Sequence, residues 1–203
     1  MEVEELMCAK IAKNKLIGLT GSIATGKTTA ANYLIKKGYK VIDSDQIVAQ
    51  LLTTPEVIKD LEKFHVIDDE NKVDKQKMAK LLFTNDKIRL EINQIIHPKV
   101  FKEIETQIKN IKTKQPIFID MPLLIETGYY QKVDDVLLIY TTIKTQTERL
   151  MKRNHLTKAE TKRRIATQIS INEKKKYATH IIDNNQGLEE LYKQIDQYLK
   201  SVV

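Results

Sequence analysis

Apolar residues along the chain follow two rhythms. Five short runs, at 15–20, 39–42, 116–120, 135–140 and 179–183, are apolar almost without interruption and read as strands. Between them the spacing becomes helical: at 27–37, where Gly38 closes the helix, through 46 to about 114, at 144–176, and at 188–199. Short continuous apolar strands are buried on both faces, so their alternation with helices predicts an α/β fold with a parallel sheet covered by helices. Inside the long helical block, Thr54-Pro55 opens one helix, Asp74 caps a second and Asn85 a third. Pro98 is expected in the first turn of a fourth, running to about Lys112. The block is too long for one crossover. The spacing therefore predicts a single domain over 1–203, with a core of about 15–45, 115–143 and 177–203, a helical insertion of about 46–114 that closes over the sheet, and a basic region of about 144–176.

Composition narrows the class. The 203 residues are 41% hydrophobic and 30% charged, which suits a folded globular chain. Cys8 is the single cysteine, so no internal disulfide and no cysteine zinc cluster can form. There is no stretch of about 20 apolar residues to span a membrane, and residues 1–15 make a poor secretory signal. These features predict a cytoplasmic protein. His65, His97, His155 and His180 form no H-x-x-H pair, which argues against a histidine metal site. The net charge of +7 is local: residues 144–176 hold eleven lysines and arginines against three glutamates. Such a segment points to an anionic ligand.

The ligand is indicated by Gly21-Ser-Ile-Ala-Thr-Gly26-Lys27-Thr28, a G-x-x-x-x-G-K-[ST] phosphate loop between a strand and a helix. Successive backbone N–H groups and a helix N-terminus suit a phosphate there. Gly26 permits close approach, Lys27 reaches the β- and γ-phosphates, and the Thr28 hydroxyl is placed for Mg²⁺. Asn71-Lys-Val-Asp74 matches the N-K-x-D of GTPases, but it precedes the third strand and follows no buried apolar strand. Asp74 reads instead as a helix cap.

Asp43 and Asp45 follow the second strand, where ligands of α/β sheets bind. One of them could take a proton from an attacking hydroxyl, with Asp45 favoured, and one could cap the helix that begins near Gln46. Asp120 ends the third strand like a Walker B carboxylate, which orders Mg²⁺ through water. Arg149 and Arg153 share a helix face, and Arg163 and Arg164 lie on the next helix, opened by a Thr157/Glu160 capping box. Two such helices make a lid that offsets phosphoryl charge. No aromatics interleave with these charges before Tyr177, so a single-stranded nucleic-acid groove fits less well.

Taken together, these motifs resemble the dephospho-coenzyme A kinase family over about 16–199. The resemblance is carried by residues 17–29, by Val41-Ile-Asp-Ser-Asp45, by His97-Pro98, by Asp120-Met-Pro-Leu-Leu-Ile-Glu126, by Gln146, Arg149, Arg153 and Gln168, and by Asp183-Asn-Asn185. It implies a P-loop kinase whose five-stranded sheet is ordered 2-3-1-4-5. It also implies transfer of a phosphoryl group from ATP with Mg²⁺ to the ribose 3′-hydroxyl of dephospho-coenzyme A. By carry-over, Gly21, Ala24, Thr25, Gly26, Lys27, Thr28, Thr29 and Asn184 hold the nucleotide. Asp45, His97, Asp120 and Leu123 face the acceptor, Asp45 is the base, and Arg149 and Arg153 are lid contacts. Ser22, Ala24 and Thr179 depart from the pattern, which usually has glycine at the first two positions and often aspartate at the third. A nucleoside monophosphate as acceptor, or a nucleic-acid-stimulated ATPase, are the competing readings.

Overall fold

The structure is a computed structural model that describes residues 14–202. Cys8 and the expectations for the first dozen residues lie outside the described residues. Five strands, β1 (Leu16–Thr20), β2 (Lys40–Asp43), β3 (Ile117–Asp120), β4 (Asp135–Tyr140) and β5 (His180–Asp183), form one sheet in the order β2-β3-β1-β4-β5. The central ladders are parallel: Ile17 pairs with Phe118 on one side and with Asp135 on the other, and Leu138 pairs with Ile181. β1 and β3 are buried throughout, whereas the edge strands β2 and β5 each bury a single residue. This is the burial expected when helices cover both faces of a parallel sheet.

Helix α1 (Lys27–Lys36) leaves the phosphate loop, and Gly38, at φ 92°, ends it as expected. Helices α6 (Ile143–Asn154), α7 (Lys158–Ile165) and α8 (Ile171–Lys174) follow β4, and α9 (Leu188–Val202) closes the chain. Leu191, Ile195, Tyr198 and Leu199 give α9 one apolar face. That face joins Ile17, Leu19, Leu34, Phe118, Leu137 and Ile139 in the core. The ring of Tyr33 on α1 stacks on Tyr192 at 4.1 Å. The α7 capping box forms as the sequence predicts, with Thr157 and Glu160 each bonding the other's backbone. Thr179 bridges to β4 by accepting from the Val136 N–H at 2.9 Å and donating to its carbonyl at 3.1 Å. A hydroxyl can do both; an ionised carboxylate could only accept.

Residues up to Ile42 and from Lys112 onward form one compact unit, and Asp43–Ile111 form another. The second unit is helical: α2 (Ser44–Leu51), α3 (Pro55–Leu61), α4 (Lys75–Thr84) and α5 (Asp86–Asn110). Pro55 is the first residue of α3, and Asp74 and Asn85 cap α4 and α5 through their side chains. Asn71 stands in a left-handed turn between the bridged residues Ile67 and Val73, so the N-K-x-D match is a turn that leads into a cap. The expected break at Pro98 does not occur, since α5 runs through it. A proline inside a helix costs about 3 kcal/mol. Ile92, Ile96, Val100 and Ile104, spaced by four across the proline, are all buried. Each contributes about 1.5–3 kcal/mol, which outweighs the lost hydrogen bond.

Candidate active site

The loop after β1 is held from three directions. Within it, the Thr25 hydroxyl donates to the Ser22 carbonyl at 2.9 Å. From α6, the Gln146 side-chain amide donates to the Ile23 carbonyl at 2.7 Å, and from the connection between α7 and α8 the Gln168 side-chain oxygen accepts from the Ile23 N–H at 3.1 Å. From the end of β5, Asn184 donates to the Thr25 carbonyl at 2.8 Å. The Asn184 side chain, expected to lie against a nucleotide, is buried and holds the loop backbone. Gly26 sits at φ 94°, and a Cβ there would collide with the Asn184 amide. Ala24 takes φ 62°, a conformation that glycine adopts without penalty.

Gly26 gives α1 no side-chain cap, and no acidic residue stands in its first turn. By contrast, Asp43, Asp74 and Asn85 cap their helices. The first N–H groups of α1 and the positive end of its dipole are thus left to an anion. Lys27, the first residue of α1, pairs with Asp120 at the end of β3, and both side chains are largely buried. Thr28 is exposed beside it, followed by Thr29. Leu123 is 36% exposed between the buried Met121 and Leu124. Gln146, Arg149 and Arg153 follow one face of α6, so the face that grips Ile23 also carries the two arginines.

Sequence reasoning missed the part taken by Lys174. Its side chain is fully buried and donates to the Pro122 carbonyl at 2.6 Å and to Glu126 at 3.1 Å. Burial pushes its pKa down, Glu126 opposes that shift, and the nearby Lys27 charge adds to it. Lys174 begins a run of three lysines and looks like solvated charge. The one available signal is its spacing of three from the buried Ile171.

In the helical unit, Asp43 is the cap. It accepts from the backbone N–H of Asp45 at 2.8 Å and of Gln46 at 3.2 Å. Asp45 stands exposed in the first turn of α2. The His97 ring is half-buried and stacks on Phe101 at 6.0 Å, and burial lowers its pKa. These residues belong to the unit 43–111, and the phosphate loop, Asp120, Leu123, the arginines and Asn184 to the other. Among the described residues, no three His, Cys, Asp or Glu side chains cluster to hold a metal by themselves. The Thr28 hydroxyl and the Asp120 carboxylate are hard oxygen donors, which fit a Mg²⁺ whose remaining ligands are phosphates and water. No helix among the described residues is long and apolar enough to cross a membrane.

A family model described as dephospho-CoA kinase matches residues 15–190. The dephospho-CoA kinase of Streptococcus pyogenes serotype M3 is 36% identical over 192 residues, covering 92% of this chain and 98% of that protein. Among solved structures, a Thermus thermophilus protein superposes with a TM-score of 0.81 at 26% identity, covering 94% of this chain and 98% of its own. The dephospho-CoA kinase of Campylobacter jejuni superposes with a TM-score of 0.63 at 26% identity and the same coverage.

Proposed function

The chain belongs to the dephospho-CoA kinase family and performs the final step of coenzyme A synthesis, and on that footing we propose how its side chains divide the phosphoryl transfer. The acceptor hydroxyl attacks the γ-phosphorus of ATP. A new oxygen–phosphorus bond forms as the bond to the β–γ bridging oxygen breaks, and ADP leaves. Asp45, exposed in the first turn of α2, receives the hydroxyl proton, while Asp43 caps that helix. Lys27 has three donors, so it can hold Asp120 and still bind phosphate oxygens. The uncapped start of α1, with Gly21, Ala24, Thr25 and Gly26 before it and Thr28 and Thr29 in its first turn, cradles the phosphates. Thr28, and Asp120 through water, would hold Mg²⁺, which would neutralise charge on the phosphates. Arg149 and Arg153 offset the charge of the transferring group. His97 and Leu123 contact the acceptor, and Asn184 acts through the loop backbone.

The observation that carries this reading is the Lys27–Asp120 pair at the mouth of an uncapped helix. The test is ADP release from Mg²⁺–ATP, with the product mass read in parallel, using dephospho-coenzyme A and nucleoside monophosphates as acceptors. A product heavier by one phosphoryl group, formed only from dephospho-coenzyme A, is expected. In Asp45→Asn the chemical step should slow far more than ATP binding weakens. If that variant loses only stability, Asp45 is structural.

A further inference from the structure

Lys174 lies in the basic segment after β4, yet none of its side chain reaches solvent. An unpaired ammonium in such a place would be costly, so its partners define its purpose. One partner is the Pro122 carbonyl, which also accepts from the Thr20 hydroxyl at 3.2 Å. Pro122 stands two residues beyond Asp120, and Thr20 ends the strand that leads into the phosphate loop. The other partner, Glu126, has an 18% exposed side chain and accepts in addition from the Ile169 N–H at 3.3 Å. Ile169 adjoins Gln168, whose side chain holds Ile23 in the loop.

These contacts close a ring. It runs from Ile23 through Gln168 and Ile169 to Glu126 and Lys174, then through Pro122 to Asp120, and back to the loop at Lys27. Lys174 ties Pro122 to Glu126 within the stretch that follows Asp120, and Glu126 in turn bonds the segment that carries Gln168. We propose that Lys174 is a positioning residue for phosphoryl transfer, setting Asp120 and Lys27 through the Pro122 carbonyl and anchoring the 166–170 segment through Glu126. The proposal rests on the roles given above to Lys27 and Asp120. A partner that orients a metal ligand, the role given above to Asp120, is typically worth about 10–100-fold in activity.

The test compares Lys174→Met with the double variant Lys174→Met/Glu126→Gln in the full chain, reading kcat, KM for ATP and the denaturant midpoint. Removing one member of a buried pair destabilises, whereas neutralising both is often harmless. The glutamine that replaces Glu126 in the double variant would still accept from Ile169. A purely structural Lys174 therefore predicts that stability and kcat return together in the double variant. Positioning predicts that stability returns while kcat stays about 10–100-fold low, with KM for ATP little changed. Recovery of kcat along with stability, or wild-type kcat in Lys174→Met, overturns the proposal. Should Lys174→Met alone fail to fold, the double variant decides. Lys27→Ala is assayed alongside, and full activity there would remove the underlying assignment whatever Lys174→Met does.

Discussion

The side-chain amide of Asn184 lies 2.8 Å from the Thr25 carbonyl and fills the space that a Cβ on Gly26 would need. Gly26 is thus constrained twice, by its left-handed backbone and by a buried neighbour. Gly26→Ala should lose at least about 1–2 kcal/mol from the backbone alone, and ATP binding should fall with it. Gly26→Ala/Asn184→Ala relieves the collision but not the backbone strain, so it should recover only part of the loss in a denaturant titration. Wild-type stability in Gly26→Ala would show that the loop tolerates a Cβ there.

Ala24 makes the opposite prediction. Its φ of 62° puts an L-residue where glycine is at ease. Ala24→Gly should leave stability unchanged or raise it by about 0.5–1 kcal/mol, the strain relieved exceeding the added freedom of the unfolded chain. A clear loss in thermal unfolding would mean that the methyl group is packed to advantage.

Lys27→Ala should lower kcat by about 10²–10³, the scale for removing one donor aimed at developing charge. A steady-state assay of ADP release checks this. A variant that keeps full activity would dissociate Lys27 from the phosphates.

Tyr198 yields a prediction at alkaline pH. Its ring is 5% exposed, and its hydroxyl has no hydrogen-bond partner among the described residues. Burial foremost, with the Asp135 charge beside it, pushes its pKa well above the usual 10.0. The folded state therefore keeps a proton that the unfolded chain releases. The stability this contributes is complete below pH 10 and is lost as pH climbs towards the folded value. Tyr198→Phe should be neutral or slightly stabilising at pH 7, because it removes an unsatisfied buried hydroxyl. Its unfolding free energy should fall less steeply than wild type above pH 10. Parallel slopes for the two proteins would refute this.

How much was legible beforehand depends on the range of the forces involved. The five strands and the helix caps Asp74, Asn85 and Thr157 were readable because their signals lie within a few residues of one another. Pro98 misled because its local preference yields to four apolar contacts spread along one face of α5. Spacing alone left Asp43 and Asp45 open as the cap, and the extended backbone of Asp43, at φ −95° and ψ 111°, settles it. Lys174 was hidden for a related reason: a buried lysine is spelled like an exposed one, and its partners lie about 50 residues upstream.

The register of the sheet also bears on how the molecule is made. β1 emerges first from the ribosome, but Leu16 and Ile17 find their partners only in Ile117, Phe118 and Asp135. At about 5–20 residues per second, synthesis leaves that apolar strand without its neighbours for roughly 5–20 s. The helices of 43–111 have partners close in sequence and can form during that wait, while the central strand exposes two unpaired edges. The order of the strands thus leaves β1 as an unpaired apolar edge until β3 and β4 have been made, and a fragment that ends just before β3 should sediment as aggregate where the full chain stays in solution.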